Sequence, residues 1–403
     1  MEPVDEQSFI NAIIATPEDD MPRLIFADWL EEHGNQQRAE FIRAQIQIAN
    51  RCTLDGRPLD DDERRSLDRF CSDHLTKCED QYEKPFRQCG LRVEQYRKGL
   101  PAVLRVEKHK VHNLPDRLNA ACRLGPINGI TFANCELTEE ALRSTLESQC
   151  CGQITSLDFT SCKLANCDMR VIGPALNASH LKCLNLSNNI FTRDGIESLG
   201  RNQALCSRLE TLDVSNNEID SSAVHVIATR FPQLKRLNLA NTRCGKHGVR
   251  ALATAQQLTN LFSVDLSNTE ATAEALGWLG MSSNLPELTS LTLSNNQLGN
   301  AGVAVIVDSC LARQLTTLKL SDIGCGDLAA QKIADSESCS KLKLLDLTHN
   351  RMGKQGLCAL ANSNTLADDL YLRLDSFSGS LAALRDQGKY RIGSVPSEAM
   401  RGR

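Results

Sequence analysis

The stretch Leu181 to Phe191, LKCLNLSNNIF, returns along most of the chain as the pattern L-x-x-L-x-L-x-x-N-x-L, and this return constrains the fold more than any other feature. The first apolar positions are Ile127, Ile154, Leu181, Leu209, Leu234, Leu261, Leu288, Leu315 and Leu342, nine copies at steps of 27, 27, 28, 25, 27, 27, 27 and 27 residues. So regular a period predicts a stacked array in which each unit buries its apolar face against its neighbours.

Within a copy the spacing predicts local structure. In LNL at 184–186, alternation turns Leu184 and Leu186 inward and Asn185 outward, as in a strand buried on one face. The turn residue that follows can bond backbone groups that a tight buried turn strands. Its slot reads Cys135, Cys162, Asn189, Asn217, Thr242, Thr269, Asn296, Ile323 and Asn350, a structural ladder in which Ile323 alone can neither donate nor accept. The eighth repeat is therefore expected to be the weak link.

Each copy then becomes helical, as in RDGIESLG at 193–200, KHGVRALA at 246–253, NAGVAVIV at 300–307 and KQGLCALA at 354–361. Helices about 10 Å wide stacked beside strands about 4.8 Å apart bend such an array into a horseshoe with parallel strands inside and helices outside. The motif, the 27-residue step and the helix in every repeat resemble the ribonuclease-inhibitor-like subclass of leucine-rich repeats over roughly residues 100–374. The resemblance implies an α/β leucine-rich repeat solenoid. It leaves function open, because the subclass includes inhibitors, activators of small GTPases and scaffolds.

Residues 5–50 form three amphipathic helical stripes, with Pro22 early in the second and Gly34 closing it. Phe9, Ala12, Ile13, Pro17, Asp19, Asp20, Arg23, Leu24, Ala27, Asp28, Trp29, Leu30, Glu31, Glu32 and Gly34, continuing through Arg38–Arg43 and Gln45, resemble the short bacterial repeat-companion domain. That family brings an architecture and no chemistry. Counting from Glu2, ten acids against three arginines within residues 1–50 make this unit an acidic cap, either solvated or a docking surface for a basic partner.

The expected organisation is a helical repeat-companion domain at 1–50, a helical connector at 51–90, and an N-terminal cap unit at 91–126. Nine repeats follow at 127–365, then a C-terminal cap at 366–380 and a flexible tail at 381–403. Because the cap unit should cover the first repeat, removal of residues 1–50 is expected to leave the array folded.

A net charge of −5 gives no reason to expect a nucleic-acid or membrane partner. The acidic start and the lack of a long apolar run lead to the expectation of a cytoplasmic protein. Seventeen cysteines without a C-x-x-C pair are read as reduced, mostly buried thiols, with vicinal Cys150 and Cys151 the most open to oxidation. Cys71, His74 and Cys78 share a helical face and Cys89 could complete a metal or redox site, although the same positions form an apolar stripe.

No P-loop, dinucleotide, zinc-protease or hydrolase motif is present, so no catalytic residue and no cofactor is expected. The informative positions are the outward ones. The column between the second and third apolar residues holds Asp158, Asn185, Asp213, Asn238 and Asp265 in strict alternation. Its neighbouring columns are small and polar apart from Arg236 and Leu344, and aromatic residues make up only 4% of the chain, too few for the anchors of a tight inhibitor. The reading is a non-enzymatic protein-interaction scaffold with that stripe as its partner-binding surface, facing a partner that presents basic groups. The alternatives are an enzyme regulator of the GTPase-activator or nuclease-inhibitor type, and a Cys/His metal or redox protein.

Overall fold

A computed structural model describes residues 5–108, 111–176 and 180–375, with the backbone of 391–392. The expected tail at 381–403 and the last residues of the closing cap, 376–380, lie outside the described residues except for that short segment. The chain forms two compact units that part after Cys162.

The first unit opens with α1 (Glu6–Ala15), α2 (Met21–Glu32), α3 (Gln36–Asn50) and α4 (Asp61–Gln88). Asp5 caps α1 by accepting from the Ser8 N–H, and Asp60 and Glu63 form a reciprocal capping box on α4. A hairpin follows, β1 (Leu91–Arg97) antiparallel to β2 (Leu100–Val106), then α5 (Leu114–Ala121), β3 (Gly129–Thr131), α6 (Glu139–Leu146) and β4 (Ser156–Asp158). Strands β2, β3 and β4 are parallel and in register, Leu104 beside Ile130 and Ile130 beside Leu157. Here the third apolar position is aromatic, and Phe132 stacks on Phe159 with ring centroids 4.8 Å apart, the spacing of adjacent strands.

The helices at 5–50 do not close a core of their own. Ile10, Ile13, Phe26, Leu30, Ile42 and Ile46 bury one cluster together with Leu100 of β2. At the hairpin turn, Lys98 Nζ pairs with Asp20 Oδ1 at 2.6 Å and the Gly99 N–H donates to Gln45 Oε1 at 2.8 Å. A Cβ on Gly99 would lie 2.5 Å from the Ile42 Cα, so α3 lies directly against the turn. The hairpin expected to shield the first repeat by itself is thus covered by these helices.

The second unit repeats strand and helix: α7 (Asn166–Ala175), β5 (Cys183–Asn185), α8 (Arg193–Gly200), α9 (Gln203–Cys206), β6 (Thr211–Asp213), α10 (Ser221–Arg230), β7 (Arg236–Asn238), α11 (Gly245–Thr254) and β8 (Ser263–Asp265). It continues with α12 (Ala273–Gly280), β9 (Ser290–Thr292), α13 (Gly299–Val307), β10 (Thr317–Lys319), α14 (Asp327–Ala334), β11 (Leu344–Asp346), α15 (Lys354–Ala361), β12 (Tyr371–Arg373) and β13 (Arg391–Ile392). Strands β5 to β13 are all parallel, each paired with the next in sequence. Leu184, Leu212, Leu237, Val264, Leu291, Leu318, Leu345 and Leu372 form one register row, all buried. Helices turn their apolar stripe to the same interior, as Val249 and Leu252 do in α11. The fold class read from the sequence, an α/β repeat solenoid preceded by helices, is the one observed.

Cysteine pairing differs from expectation in one place. Cys122, at the end of α5, is disulfide-bonded to Cys150, which ends up beside it because α5 packs against the turn at 150–153; the neighbour Cys151 is free and buried. Fifteen cysteines are free, and burial pushes the thiols of Cys162 and Cys244 up to about 12.

Candidate interaction surface

The turn slot is a set of buried hydrogen-bonding side chains. Asn296 uses both ends: Nδ2 donates to the carbonyls of Leu266 (2.8 Å), Leu293 (2.9 Å) and Ser294 (3.3 Å), while Oδ1 accepts from the N–H groups of Thr269 and Ala271. Asn350 repeats this with Leu320, Leu347 and Thr348 as acceptors and Ile323 and Cys325 as donors. Asn189 donates to Leu186 and Ser187 and accepts from Leu164. Thr242 and Thr269 donate to the carbonyls of Leu239 and Leu266, and the thiols of Cys135 and Cys162 lie 3.5 Å and 3.0 Å from the carbonyls of Val106 and Phe132. Ile323 does not break the ladder, because the Leu320 carbonyl it cannot reach is bonded by Asn350 of the next repeat at 2.7 Å.

Asn217 is the exception. Its amide donates to Leu186, Val214 and Ser215, but Oδ1 is buried without a partner. The step from the Asn189 slot to the Asn217 slot is 28 residues where that from Thr269 to Asn296 is 27, so the two repeats do not meet in the same register here.

A second column, just before the slot, was not singled out from sequence. Asn134, Ser161, Asn188, Asn216, Asn241, Asn268, Asn295, Asp322 and His349 all adopt left-handed backbone, φ between 49° and 63°, with values such as 54° at Asn216 and 58° at Asn295. Asn recurs here because its short polar side chain tolerates that region. Seven of these turns, from Asn134 and Asn188 to Asp322, aim their N–H at a carbonyl of the next repeat, as Asn216 does at Ala240, 2.9 Å away, whereas the His349 N–H donates to the Asp375 carboxylate. The signal was in the sequence, in the doubled Asn of SNN at 187–189, 215–217 and 294–296.

In the second unit the outward stripe is aligned by strand register, Asn185 beside Asp213, Asp213 beside Asn238 and Asn238 beside Asp265. All four are half-buried. Each Oδ1 is committed to the chain two residues on. Asp213 Oδ1 accepts from the Ser215 N–H at 2.9 Å and hydroxyl at 2.6 Å, Asp265 does the same with Ser267, and Asn185 and Asn238 accept from the N–H groups of Ser187 and Ala240. Asp158, in the first unit, holds Thr160 in the same way. The column therefore closes each strand into its turn, a role that sequence spacing did not reveal. Sideways, Asn238 Nδ2 donates to Asp213 Oδ2 at 2.8 Å. Burial raises the Asp213 carboxyl above its ordinary value, opposed by the bonds from Ser215 and Asn238, and the Asp265 charge adds to the rise.

Towards the start of these strands runs a row of opposite sign. Glu210 takes Lys235 at 2.8 Å and Lys182 at 3.7 Å, and the lysine contacts hold its carboxyl below the usual range. Arg236 is exposed, with its guanidinium 4.8 Å from the ring centroid of the half-buried Phe262. A hollow of about 580 Å³ beside the ring is lined by Lys235, Thr259, Asn260, Phe262, Pro286 and Glu287. Phe262 went unnoticed in sequence because it stands one residue before its strand, in a column otherwise polar from Asn128 to Lys343. At the far end the acid is neutralised, with Asp346 Oδ2 2.8 Å from Arg373 Nη1.

The four residues considered for a metal are not gathered as ligands. Cys71 packs with Phe41 and Ala44, and burial pushes its thiol to about 11. The buried His74 stacks on Phe41 at 4.8 Å with Nε2 2.8 Å from Tyr82 Oη, and burial lowers its pKa. Among the described residues no three His, Cys, Asp or Glu side chains are grouped so as to hold a metal, and no helix is long and apolar enough to cross a membrane.

Comparison with known proteins agrees with the repeat geometry. The family described as Leucine Rich repeat matches residues 177–200, 285–307 and 338–361. No curated protein matches the sequence. Among solved structures, an internalin (inlF) from Listeria monocytogenes is similar at TM-score 0.38 and 18% identity, over 69% of this chain and 70% of that one. The structure of the Rad7 and Elc1 complex in yeast is similar at TM-score 0.46 and 13% identity, over 91% and 92% of the two chains. The mouse RP105/MD-1 complex gives TM-score 0.41 and 21% identity, over 69% of this chain and 51% of that one. Leucine-rich repeats are thus present in this chain, at positions that include its third, seventh and ninth copies.

Proposed function

We propose that the chain is a non-enzymatic protein-interaction scaffold whose partner docks on the strand face of the second unit. One observation carries this reading: Asn185, Asp213, Asn238 and Asp265 form a register-aligned row whose inner oxygens are fixed by their own turns, so the groups presented outward are held before any partner arrives. Asp213 and Asp265 would meet basic groups of that partner, and Asp158 offers a similar contact on the first unit. The ribonuclease-inhibitor-like subclass rests on the 27-residue step with a helix in each repeat, and the companion-domain identity of residues 1–50 on the matches from Phe9 to Gln45. A cytoplasmic setting is favoured by fifteen free cysteines.

The test compares proteins retained from lysate by the parent chain and by Asp213→Asn/Asp265→Asn, across a salt series, with Asp158→Asn scored separately. A partner held by the parent, released by salt and lost by the double variant supports the reading. Equal retention by parent and double variant at every salt concentration rejects the row as an electrostatic docking site.

A further inference from the structure

Arg236, one position further along the strands than the Lys182–Glu210–Lys235 row, differs from those lysines. Lys182 and Lys235 are both drawn to Glu210, whereas the Arg236 guanidinium makes no ion pair or hydrogen bond among the described residues. Its Cζ lies over the Phe262 ring, 4.8 Å from the centroid, so the cation is held against the aromatic face while no acceptor among the described residues engages its N–H donors. Because Phe262 is half-buried, the surface beneath the cation is fixed. A stacked, unpaired guanidinium is a ready receptor for a planar carboxylate, which it can bind through two parallel N–H bonds.

The surroundings define the rest of the ligand. Asn238 lies two residues beyond Arg236 on the same strand, about 7 Å along it, with Asp213 and Asp265 on the adjacent strands in register with Asn238. Lys182, Lys235 and Arg236 balance Glu210, Asp213 and Asp265, so this face is a neutral surface with a basic edge and an acidic edge. A segment that complements it is itself near neutral, with its acid and base in matching order. A phosphoryl dianion would leave excess negative charge facing two aspartates.

We propose that Arg236, stacked on Phe262, receives a carboxylate side chain of the protein partner, about 7 Å from the partner's basic group at Asp213 and Asp265. This rests on the scaffold reading above and specifies the partner's charge pattern. The full chain is titrated with short synthetic peptides of Gly and Ser carrying Lys alone, Glu and Lys two residues apart, or phosphoserine in place of Glu. At low salt the Glu-containing peptides should bind about tenfold tighter than the Lys-only set. Arg236→Ala and Phe262→Leu should remove that increment and leave Lys-only binding unchanged, and Arg236→Lys, which keeps the charge without the fork, should lose most of it. Thermal midpoints equal to the parent's exclude unfolding as the cause.

Parent-like binding of every peptide by Arg236→Ala overturns the inference. So does tighter binding of the phosphoserine set, which would assign a phosphate receptor, or failure of every peptide to bind. The wider scaffold reading is scored separately, by whether Asp213→Asn/Asp265→Asn weakens Lys-only binding and by the retention experiment.

Discussion

Asn238 Nδ2 donates to Asp213 Oδ2 at 2.8 Å, linking two adjacent strands of the row through the one oxygen of Asp213 that its own turn leaves over. The alternation of Asp and Asn has a physical reason here: with Oδ1 consumed by the turn, an amide can give a hydrogen to the neighbouring carboxylate, whereas two adjacent carboxylates would repel. Burial holds the Asp213 pKa above its unfolded value, so protonation favours the folded state. The Asp213 contribution should therefore improve as pH falls through the folded pKa towards about 4, and its charge should cost stability above that window. Asp213→Asn should flatten this dependence. Denaturation midpoints of parent and variant that keep a constant offset across the window would count against the assignment.

The two ends of Asn296 are used and only one end of Asn217 is. Replacing either by Ala strands buried backbone groups, at about 1 to 3 kcal/mol each. Asn296→Ala should be the more costly, because it also abandons the Thr269 and Ala271 N–H groups. Urea denaturation of both variants decides it, and equal losses would mean that the second set of bonds adds nothing.

Asn216 is exposed and its backbone is left-handed at φ 54°, so Gly should be tolerated there while Val should cost about 1 to 2 kcal/mol. Thermal midpoints of the two variants measure this. A Val variant as stable as the Gly variant would show that the turn relaxes out of that conformation.

Leu239 is fully buried at the inward position of the fifth repeat. Leu239→Ala should lose about 2 to 5 kcal/mol through lost burial and the remaining cavity. A chemical denaturation curve that matches the parent's would show that the inward assignment is wrong.

Gly99 combines φ 79° with direct contact to the Ile42 backbone. Gly99→Ala should detach α3 from the hairpin turn and expose the cluster that contains Leu100, seen as faster amide exchange at Ile42 and Leu100. Deletion of residues 1–50 should expose the same Leu100 and reduce the solubility of the first unit. Unchanged exchange in Gly99→Ala would place the strain elsewhere.

What the sequence determined by itself was everything set within one repeat: the period, the inward Leu184 and Leu186, the polar turn slot and the helix that follows. Those features depend on residues a few positions apart, whose alternation and spacing are visible in the letters. The doubled Asn was equally visible, but its meaning lay in a backbone dihedral that composition does not express. Tertiary structure decided which group meets which across repeats. Whether Asn217 Oδ1 finds a donor depends on how the preceding repeat lies against it, and whether Ile323 weakens its repeat depends on the reach of Asn350. Leu100 joins the helices at 5–50, Cys122 finds Cys150 and Arg236 lies over Phe262 by the same kind of long-range meeting. Such contacts join residues 25 or more positions apart, and they are set by the lateral stacking of units, which no local pattern encodes.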